Sequence, residues 1–279
     1  MPDRPAENVS RGNLSRLLEK VHAERNLDLA QLRSRYVERR IGTRLHALGL
    51  HTYRQYATYL DAHPDEYPLL IDALTINVTQ FFRDTPVWET LCANVIPPLL
   101  KAKTERGRRV LRVWCAGCAT GEEPYSVAMC VLSVIEDLGL SGIVLNVIGT
   151  DIDRRALAVA KQAEYPNSRL GEIPRRFRDS YLEVADETFR IGSSVRRCVK
   201  LHYLDLFGEP PVNVVDLVMC RNVFIYFNRE DQERITASFF KGLTHGGYLV
   251  LGRSERLARG LADRFEVVST SDRVYRRVK

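Results

Sequence analysis

Residues Val110–Ser126, VLRVWCAGCATGEEPYS, join a strand pattern to a helix pattern through a turn of small residues. VLRVW reads as a buried strand. CAGCATG forms the turn, where small side chains let a ligand come close to the backbone. Beyond it Tyr125, Val127, Ala128, Val131, Leu132 and Ile135 recur at helical spacing. Pro124 suits a first helical turn, where its missing N–H costs nothing. A glycine-rich strand-to-helix turn commonly holds a nucleotide phosphate. Here Glu122 and Glu123 stand where the phosphate would lie, and paired carboxylates repel an anion. The turn therefore suits a ligand with a cationic end, which points to S-adenosylmethionine rather than NAD or ATP.

Outward from this segment, LNVIGTD, VVDLVMC and YLVLG are further short apolar runs separated by helical stretches, the pattern of a parallel sheet with crossovers. The chain closes with FEVVST–SD–RVYRRV, two strand-like runs around a tight turn, expected as an antiparallel hairpin at the end of the sheet. A long connection, about residues 165–204, separates two of the sheet's runs, and a connection of that length usually carries function or forms a subdomain. Its first part, IPRRFRDSYLEV, reads as helical. Its second, TFRIGSSVRRCVKLHYL, alternates around Gly192-Ser193-Ser194 and predicts antiparallel β structure.

Residues 13–74 carry no strand alternation. Leu14, Leu17, Leu18 and Val21 set a first helix, and Leu29, Leu32, Ile41, Leu45 and Leu48 a second ending at Gly49. Thr52 is placed to cap a third, and EYPLLIDALTI makes a fourth. The expected organisation is a helical domain over 1–76, a linker over 77–90, and an α/β domain over 91–279 with the insertion at about 165–204.

With 279 residues, 45% of them hydrophobic and 27% charged, the composition is that of a globular protein. No apolar run is long enough to cross a bilayer, and MPDRPAENVSRG lacks the apolar core of a signal peptide, so a cytoplasmic location is expected. Of the six cysteines, only Cys115 and Cys118 form a CxxC, and that pair belongs to the small-residue turn. The histidines are scattered, and no metal is expected. The net charge of +6 is uneven: residues 31–60 hold Arg33, Arg35, Arg39, Arg40, Arg44 and Arg54 against Glu38 alone. Such a stretch is either a solvated helix face or a surface for an acidic partner.

Ligands of open α/β sheets bind at the carboxyl ends of the strands. Four segments converge there. They are the CAGCATGEE turn; Asp151 ending LNVIGT, suited to two ribose hydroxyls; Asp205-Leu206 after HYL, suited to flank an adenine; and Cys220-Arg221-Asn222 after VVDLVM, at the reactive end. Asp153, beside Asp151, reads as the N-cap of DRRALAVAKQ.

The segments NVTQFFRD, VWCAGCATGEEPYS, GTDID and CRNVFIYF resemble those of the chemotaxis receptor methyltransferases, the CheR family, over nearly the whole chain. The resemblance implies a Rossmann-like class I methyltransferase sheet with a C-terminal antiparallel hairpin, a preceding small all-α domain and an inserted antiparallel β-subdomain. It implies methyl transfer from S-adenosyl-L-methionine to glutamate side chains on the cytoplasmic helices of membrane chemoreceptors, with S-adenosyl-L-homocysteine as product. By motif, Asn77, Thr79 and Arg83 would reach the cofactor and Glu123 would hold its amino group. Asp151 would hold the ribose, Asp205 and Leu206 would flank the adenine, and Arg221 and Asn222 would close the site. Arg83 and Tyr226 would stand by the substrate carboxylate and the transferring methyl. Asp205 departs from the Asn common in the family. Arg33, Arg40 and Arg44 become candidate contacts for an acidic receptor helix, and the β-subdomain a candidate site for a receptor C-terminal peptide added as a strand. A monomer is expected.

The chemistry agrees with the residue types. A glutamate carboxylate is ionised at neutral pH and needs no general base to attack a sulfonium methyl, and no His–Asp pair stands near the motifs. Alternatives of other classes fit less well. A nucleic-acid amine methyltransferase would carry prolines after the fourth strand, where this chain has Arg221-Asn222-Val223-Phe224. A nicotinamide dehydrogenase would need a third glycine beyond Gly117 and Gly121. A non-catalytic adaptor would show damaged cofactor motifs.

Overall fold

The structure is a computed structural model that describes residues 5–25, 32–74 and 77–279. It divides into two compact units, Met1–Ile76 with Tyr226–Asp231, and Asn77–Ile225 with Gln232–Lys279.

Among the described residues the first unit holds four helices: α1 (Pro5–Arg25), α2 (Ser34–Ala47), α3 (Tyr53–Ala62) and α4 (Glu66–Leu74). Leu29, expected in the second helix, lies outside the described residues. α2 buries Ile41 and Leu45 as expected, and Val37 with them, whereas Leu32, expected in this helix, precedes it in a β-bridge. Thr52 caps α3 in a full capping box: its hydroxyl accepts the Gln55 N–H, and the Gln55 side chain accepts the Thr52 N–H. Tyr226–Asp231 belongs to this unit through main-chain pairing. The Arg33 N–H donates to the Tyr226 carbonyl at 2.9 Å, and Leu32 and Phe227 form a β-bridge.

The second unit opens with α5 (Thr85–Thr90), which passes through a π-helical turn, Leu91–Val95, into α6 (Ile96–Glu105). In sequence alone, VWETLCANVIPPLLK reads as one continuous helix. Pro97 and Pro98 explain the break, because neither can donate a main-chain hydrogen bond to the preceding turn.

Ten strands follow: β1 (Val110–Ala116), β2 (Val144–Asp151), β3 (Glu164–Pro166), β4 (Leu182–Val184), β5 (Thr188–Ile191), β6 (Val199–Tyr203), β7 (Val215–Cys220), β8 (Leu243–Leu251), β9 (Phe265–Ser269) and β10 (Val274–Arg277). Helices α7 (Glu122–Asp137), α8 (Arg154–Gln162), α9 (Arg175–Tyr181), α10 (Ser193–Arg196) and α11 (Arg229–Gly242) connect them.

The main sheet has the order β6-β2-β1-β7-β8-β10-β9. Its first five strands are parallel, and β10 runs antiparallel to both β8 and β9. This is the class I methyltransferase arrangement, with the C-terminal hairpin folding its last strand inside its first. β7 is buried at every residue, as a strand covered on both faces must be.

A second, three-stranded antiparallel sheet, β3-β5-β4, forms the insertion. The expected pairing within TFRIGSSVRRCVKLHYL is corrected by the structure. TFRI pairs with residues 164–166 and 182–184, SSVR is a helical turn, and VKLHY leaves the insertion to become the parallel edge strand β6. The Gly192 N–H bonds the Tyr181 carbonyl at 2.6 Å, and a Cβ on Gly192 would lie 2.8 Å from that oxygen, so chain direction changes there.

Candidate functional site

Register brings the carboxyl ends of three strands side by side. Ala116 of β1 stands opposite Thr150 of β2, and Cys115 opposite Met219 of β7. The turn after β1 folds across the end of β2. The N–H groups of Gly117 and Cys118 both donate to the Thr150 carbonyl, at 2.8 and 3.0 Å. The Ala119 N–H donates to Asp151 Oδ2 at 2.7 Å, and the Gly121 N–H to the Cys118 carbonyl at 2.9 Å. Gly117, Ala119 and Gly121 have positive φ, and a Cβ on Gly117 would lie 2.5 Å from Val223 Cγ2.

These bonds revise the sequence argument about phosphate. A phosphate cradle needs free N–H groups, and four of this turn's are already taken by protein oxygens. The two acids also diverge. Glu122 is fully buried and turned away, ion-paired with Arg169 of the insertion and accepting the Thr120 hydroxyl. Glu123 has a side chain 12% exposed and pairs with Arg221 at 3.3 Å. Burial pushes the Glu123 carboxyl above the ordinary carboxylate range, with Arg221 opposing the shift.

Arg221 is buried after β7. Its guanidinium meets Asp84 at 2.8 Å, the Arg83 carbonyl at 2.9 Å and Glu123, and lies 5.7 Å from the Trp88 ring centre. It therefore holds the segment after Asn77 against the first turn of α7. One guanidinium pairs with both carboxylates; Arg83 adds a second positive charge near Glu123 and Glu255 a third negative one, so the acids outnumber the arginines at this end of the site. Arg83 is half-buried and donates to the Val78 carbonyl at 3.0 Å.

Asp151 accepts the N–H groups of Ala119 and, through Oδ1, Asp153 at 2.9 Å. Burial raises its carboxyl, and these backbone donors hold the rise back. Asp153 caps α8 by accepting the Arg155 and Ala156 N–H groups, as expected, and its other oxygen accepts the Asn77 side-chain amide at 2.6 Å. Thr79 is tied in by its carbonyl, which accepts from Arg169 at 2.9 Å. The Leu204 N–H donates to the Asp151 carbonyl at 3.0 Å, which sets Asp205 and Leu206 directly beyond the ends of β2 and β6. Asp205 Oδ1 accepts the Phe207 N–H at 3.0 Å.

Asn222 has φ +61, and its Oδ1 is buried with no hydrogen-bond partner. The structure thus gathers Asn77, Thr79, Arg83, Glu123, Asp151, Asp205, Leu206, Arg221 and Asn222 in the second unit. Tyr226 belongs to the first, where its ring centre lies 5.2 Å from that of Tyr36. In that unit Arg33 Nε donates to the Phe227 carbonyl at 3.0 Å, and Arg40 lies 5.6 Å from the Tyr36 ring centre. Arg44 is engaged internally: it grips buried Glu66 through two bonds of 2.8 and 2.7 Å, and Tyr56 donates to the same carboxylate.

Three participants escaped the sequence reading. Asp84 ends the quoted NVTQFFRD and stood beside Arg83 in plain view. Arg169 lies in a polar stretch of the insertion with no motif around it. Glu255 follows the apolar run YLVLG, where a polar residue at a strand's end was the available signal.

The donor set suits S-adenosylmethionine. Glu123, which shares Arg221 with Asp84, sits by the turn for an amino group, a strand-end aspartate is available for a ribose, and the orphaned Asn222 oxygen awaits a donor. The close approach at Gly117 leaves room for no side chain there.

Residues 77–274 match the family described as CheR methyltransferase, SAM binding domain, and residues 12–75 the one described as CheR methyltransferase, all-alpha domain. The chain is 28% identical over 255 residues to the chemotaxis protein methyltransferase of Borreliella burgdorferi, covering 90% of each chain. It is 30% identical over 252 residues to chemotaxis protein methyltransferase 2 of Pseudomonas aeruginosa, covering 88% of this chain and 87% of that one. It is 33% identical over 215 residues to chemotaxis protein methyltransferase 1 of the same organism, covering 76% and 77%.

Proposed function

The chain belongs to the CheR methyltransferase family and uses S-adenosylmethionine, and we propose that its methyl acceptor is the side-chain carboxylate of glutamates on the cytoplasmic helices of chemoreceptors. The observation that carries this reading is that the gathered site residues include no histidine or lysine, and that Glu123 and Asp151 are already committed to Arg221 and to backbone N–H groups. The site's ionisable groups are acids held by arginine or backbone N–H, together with Arg83 and Arg221. An amine or hydroxyl acceptor must lose a proton, whereas a carboxylate arrives ionised.

S-adenosylmethionine supplies an electrophilic methyl on a positively charged sulfur. Glu123 and Asp84, only partly offset by Arg221, would hold the cationic amino end. Asp151 would accept the ribose hydroxyls, and Asp205 with Leu206 would flank the base. Asn222 would offer its Oδ1 to a donor, and Asn77 and Thr79 would close the side. Arg83 would align the acceptor carboxylate through paired hydrogen bonds, and Tyr226 is the second residue given a catalytic role in this reading. The acceptor carboxylate would take the methyl directly, the cofactor supplying the methyl and a sulfur leaving group that keeps the electron pair of the broken carbon–sulfur bond. Opposite charges cancel in that step, so a water-poor site favours it. Alignment alone can contribute roughly 7–11 kcal/mol.

The reading extends to architecture and partners. Residues 1–76 serve as the receptor-facing helical domain, 77–90 as a cofactor-contacting linker, and 91–279 as the catalytic domain of a cytoplasmic monomer. No helix among the described residues is long and apolar enough to cross a membrane. Arg33 and Arg40 would meet acidic receptor helices, with Arg44 serving them through its hold on Glu66. The insertion's outer strands, β3 and β4, are the edges at which a receptor peptide could add.

The test is transfer of radiolabelled methyl from S-adenosylmethionine to purified receptor cytoplasmic fragments, followed by mild base. Carboxyl methyl esters release the label as methanol. A base-stable product would refute the proposed acceptor, and efficient transfer to DNA or RNA would replace it.

A further inference from the structure

Glu255 is buried at 4% exposure, 33 residues beyond Asn222 in sequence, and it organises the loop that carries Asn222. Its Oε2 accepts the Gly252 N–H at 2.7 Å and the Asn222 N–H at 3.0 Å, while Oε1 accepts the Phe224 N–H at 2.7 Å. No cation pairs with this carboxylate among the described residues, so backbone dipoles alone hold its charge. Gly252 makes the arrangement possible: a Cβ there would lie 2.7 Å from Glu255 Oε2 and 2.8 Å from the Asn222 nitrogen. The far side of the loop is fixed by Gln232, whose side chain donates to the Phe224 carbonyl at 2.8 Å.

Asn222 gains two things from this hub. Its left-handed backbone, uncommon for a residue with a side chain, is held by the bond to its N–H. Its side-chain oxygen is left buried and unpaired at the end of β7. An unpaired buried acceptor is costly and persists only where the surroundings over-determine it.

We propose that Glu255 is a positioning residue of the cofactor site: by binding the backbone on both sides of Asn222, it presents the Asn222 amide oxygen to a donor on S-adenosylmethionine. This rests on the assignment of Asn222 to that site. A glutamine at 255 cannot substitute, because one of its two polar ends is a donor and would face an N–H group. An alanine at 252 reaches the same result by another route, wedging Glu255 and Asn222 apart.

The test is calorimetric binding of S-adenosylhomocysteine, in the absence of any methyl acceptor, to the full chain and to Glu255→Gln, Gly252→Ala, Asn222→Gly and the Glu255→Gln/Asn222→Gly pair. Glycine at 222 accepts the left-handed backbone, so that variant removes only the amide. Each single change should weaken binding about tenfold or more. Because Glu255 acts through Asn222, the double variant should bind within about twofold of the weaker single. A general loss of structure would instead combine as the product of the two effects. If Glu255→Gln fails to fold, the Gly252→Ala result decides. Wild-type affinity in Glu255→Gln and Gly252→Ala with weakened Asn222→Gly would overturn the role of Glu255 alone. Wild-type affinity in Asn222→Gly would overturn the site assignment and the proposal with it. Multiplicative losses in the double variant would show that Glu255 is merely structural.

Discussion

Arg169→Ala should be the most damaging single truncation at the edge of the cofactor site, although no motif marks that residue. Its guanidinium holds three things at once: the fully buried Glu122 at the start of α7, Glu172 at 3.0 Å, and the Thr79 carbonyl at 2.9 Å. Glu172 in turn accepts the Phe81 N–H at 2.9 Å. Removing the guanidinium leaves a buried carboxylate with one hydroxyl, that of Thr120, for company. Breaking a buried pair in this way costs about 3–5 kcal/mol. The Arg169 side chain is 23% exposed, so water can enter the vacated space, and about 3 kcal/mol is the better figure. For a unit of this size that corresponds to a fall in Tm of about 6–12 °C. Adding Glu122→Gln to Arg169→Ala should recover more than half of the loss, because the uncompensated charge is then gone. Thermal unfolding of the two variants beside the parent measures both quantities. A loss below about 2 °C in Arg169→Ala, or no recovery in the double variant, would refute the assignment of the cost to Glu122.

Two further outcomes follow from charges at the site and in the helical unit. Glu123, Asp151 and Glu255 all have carboxyls raised by burial; groups of this kind contribute most to stability below their unfolded pKa, and that contribution is lost as pH rises through the folded value. Ionisation of these acids therefore destabilises the unliganded protein above the ordinary carboxylate range, while the cationic end of the ligand needs Glu123 ionised. The rise in Tm produced by S-adenosylmethionine should accordingly grow as pH increases from about 5 to 7, and a pH-independent rise would contradict the charge assignment. Arg44→Ala should lower the stability of the helical unit by about 2–4 kcal/mol by stranding buried Glu66, as measured by denaturant unfolding, whereas Arg40→Glu should leave stability nearly intact and change the methylation rate and its salt dependence. Equal effects of the two changes on both readouts would reverse this division of labour.

The parts of the fold legible in the sequence are those written in local pattern. VLRVW and VVDLVM are continuous apolar runs because β1 and β7 lie at the centre of a covered sheet, and the caps at Thr52 and Asp153 act within three residues of themselves. VKLHY misled for a physical reason. β6 is the sheet's edge, its residues alternate between half-buried and exposed, and that alternation is the same signature a hairpin strand would leave. Period states which faces a strand shows and is silent about its partner.

Function-bearing charge pairs lie beyond local pattern altogether. Glu122 and Glu123 are neighbours in sequence, but successive residues of a helix point about 100° apart. One therefore turns to Arg169, 47 residues away, and the other to Arg221, 98 residues away. As a sequence pair, they exclude an anion by their joint charge. In the folded chain Glu122 is spent on the insertion, and the turn's own N–H groups are consumed by Thr150, Asp151 and Cys118. The case against phosphate thus rests on four turn N–H groups already bonded to protein oxygens, while the preference for a cation stands on Glu123 and Asp84 sharing the Arg221 guanidinium. That separation has a consequence for any change of ligand. Neutralising Glu123 would weaken the hold on a cationic end while leaving the Gly117, Cys118, Ala119 and Gly121 N–H groups committed to protein oxygens.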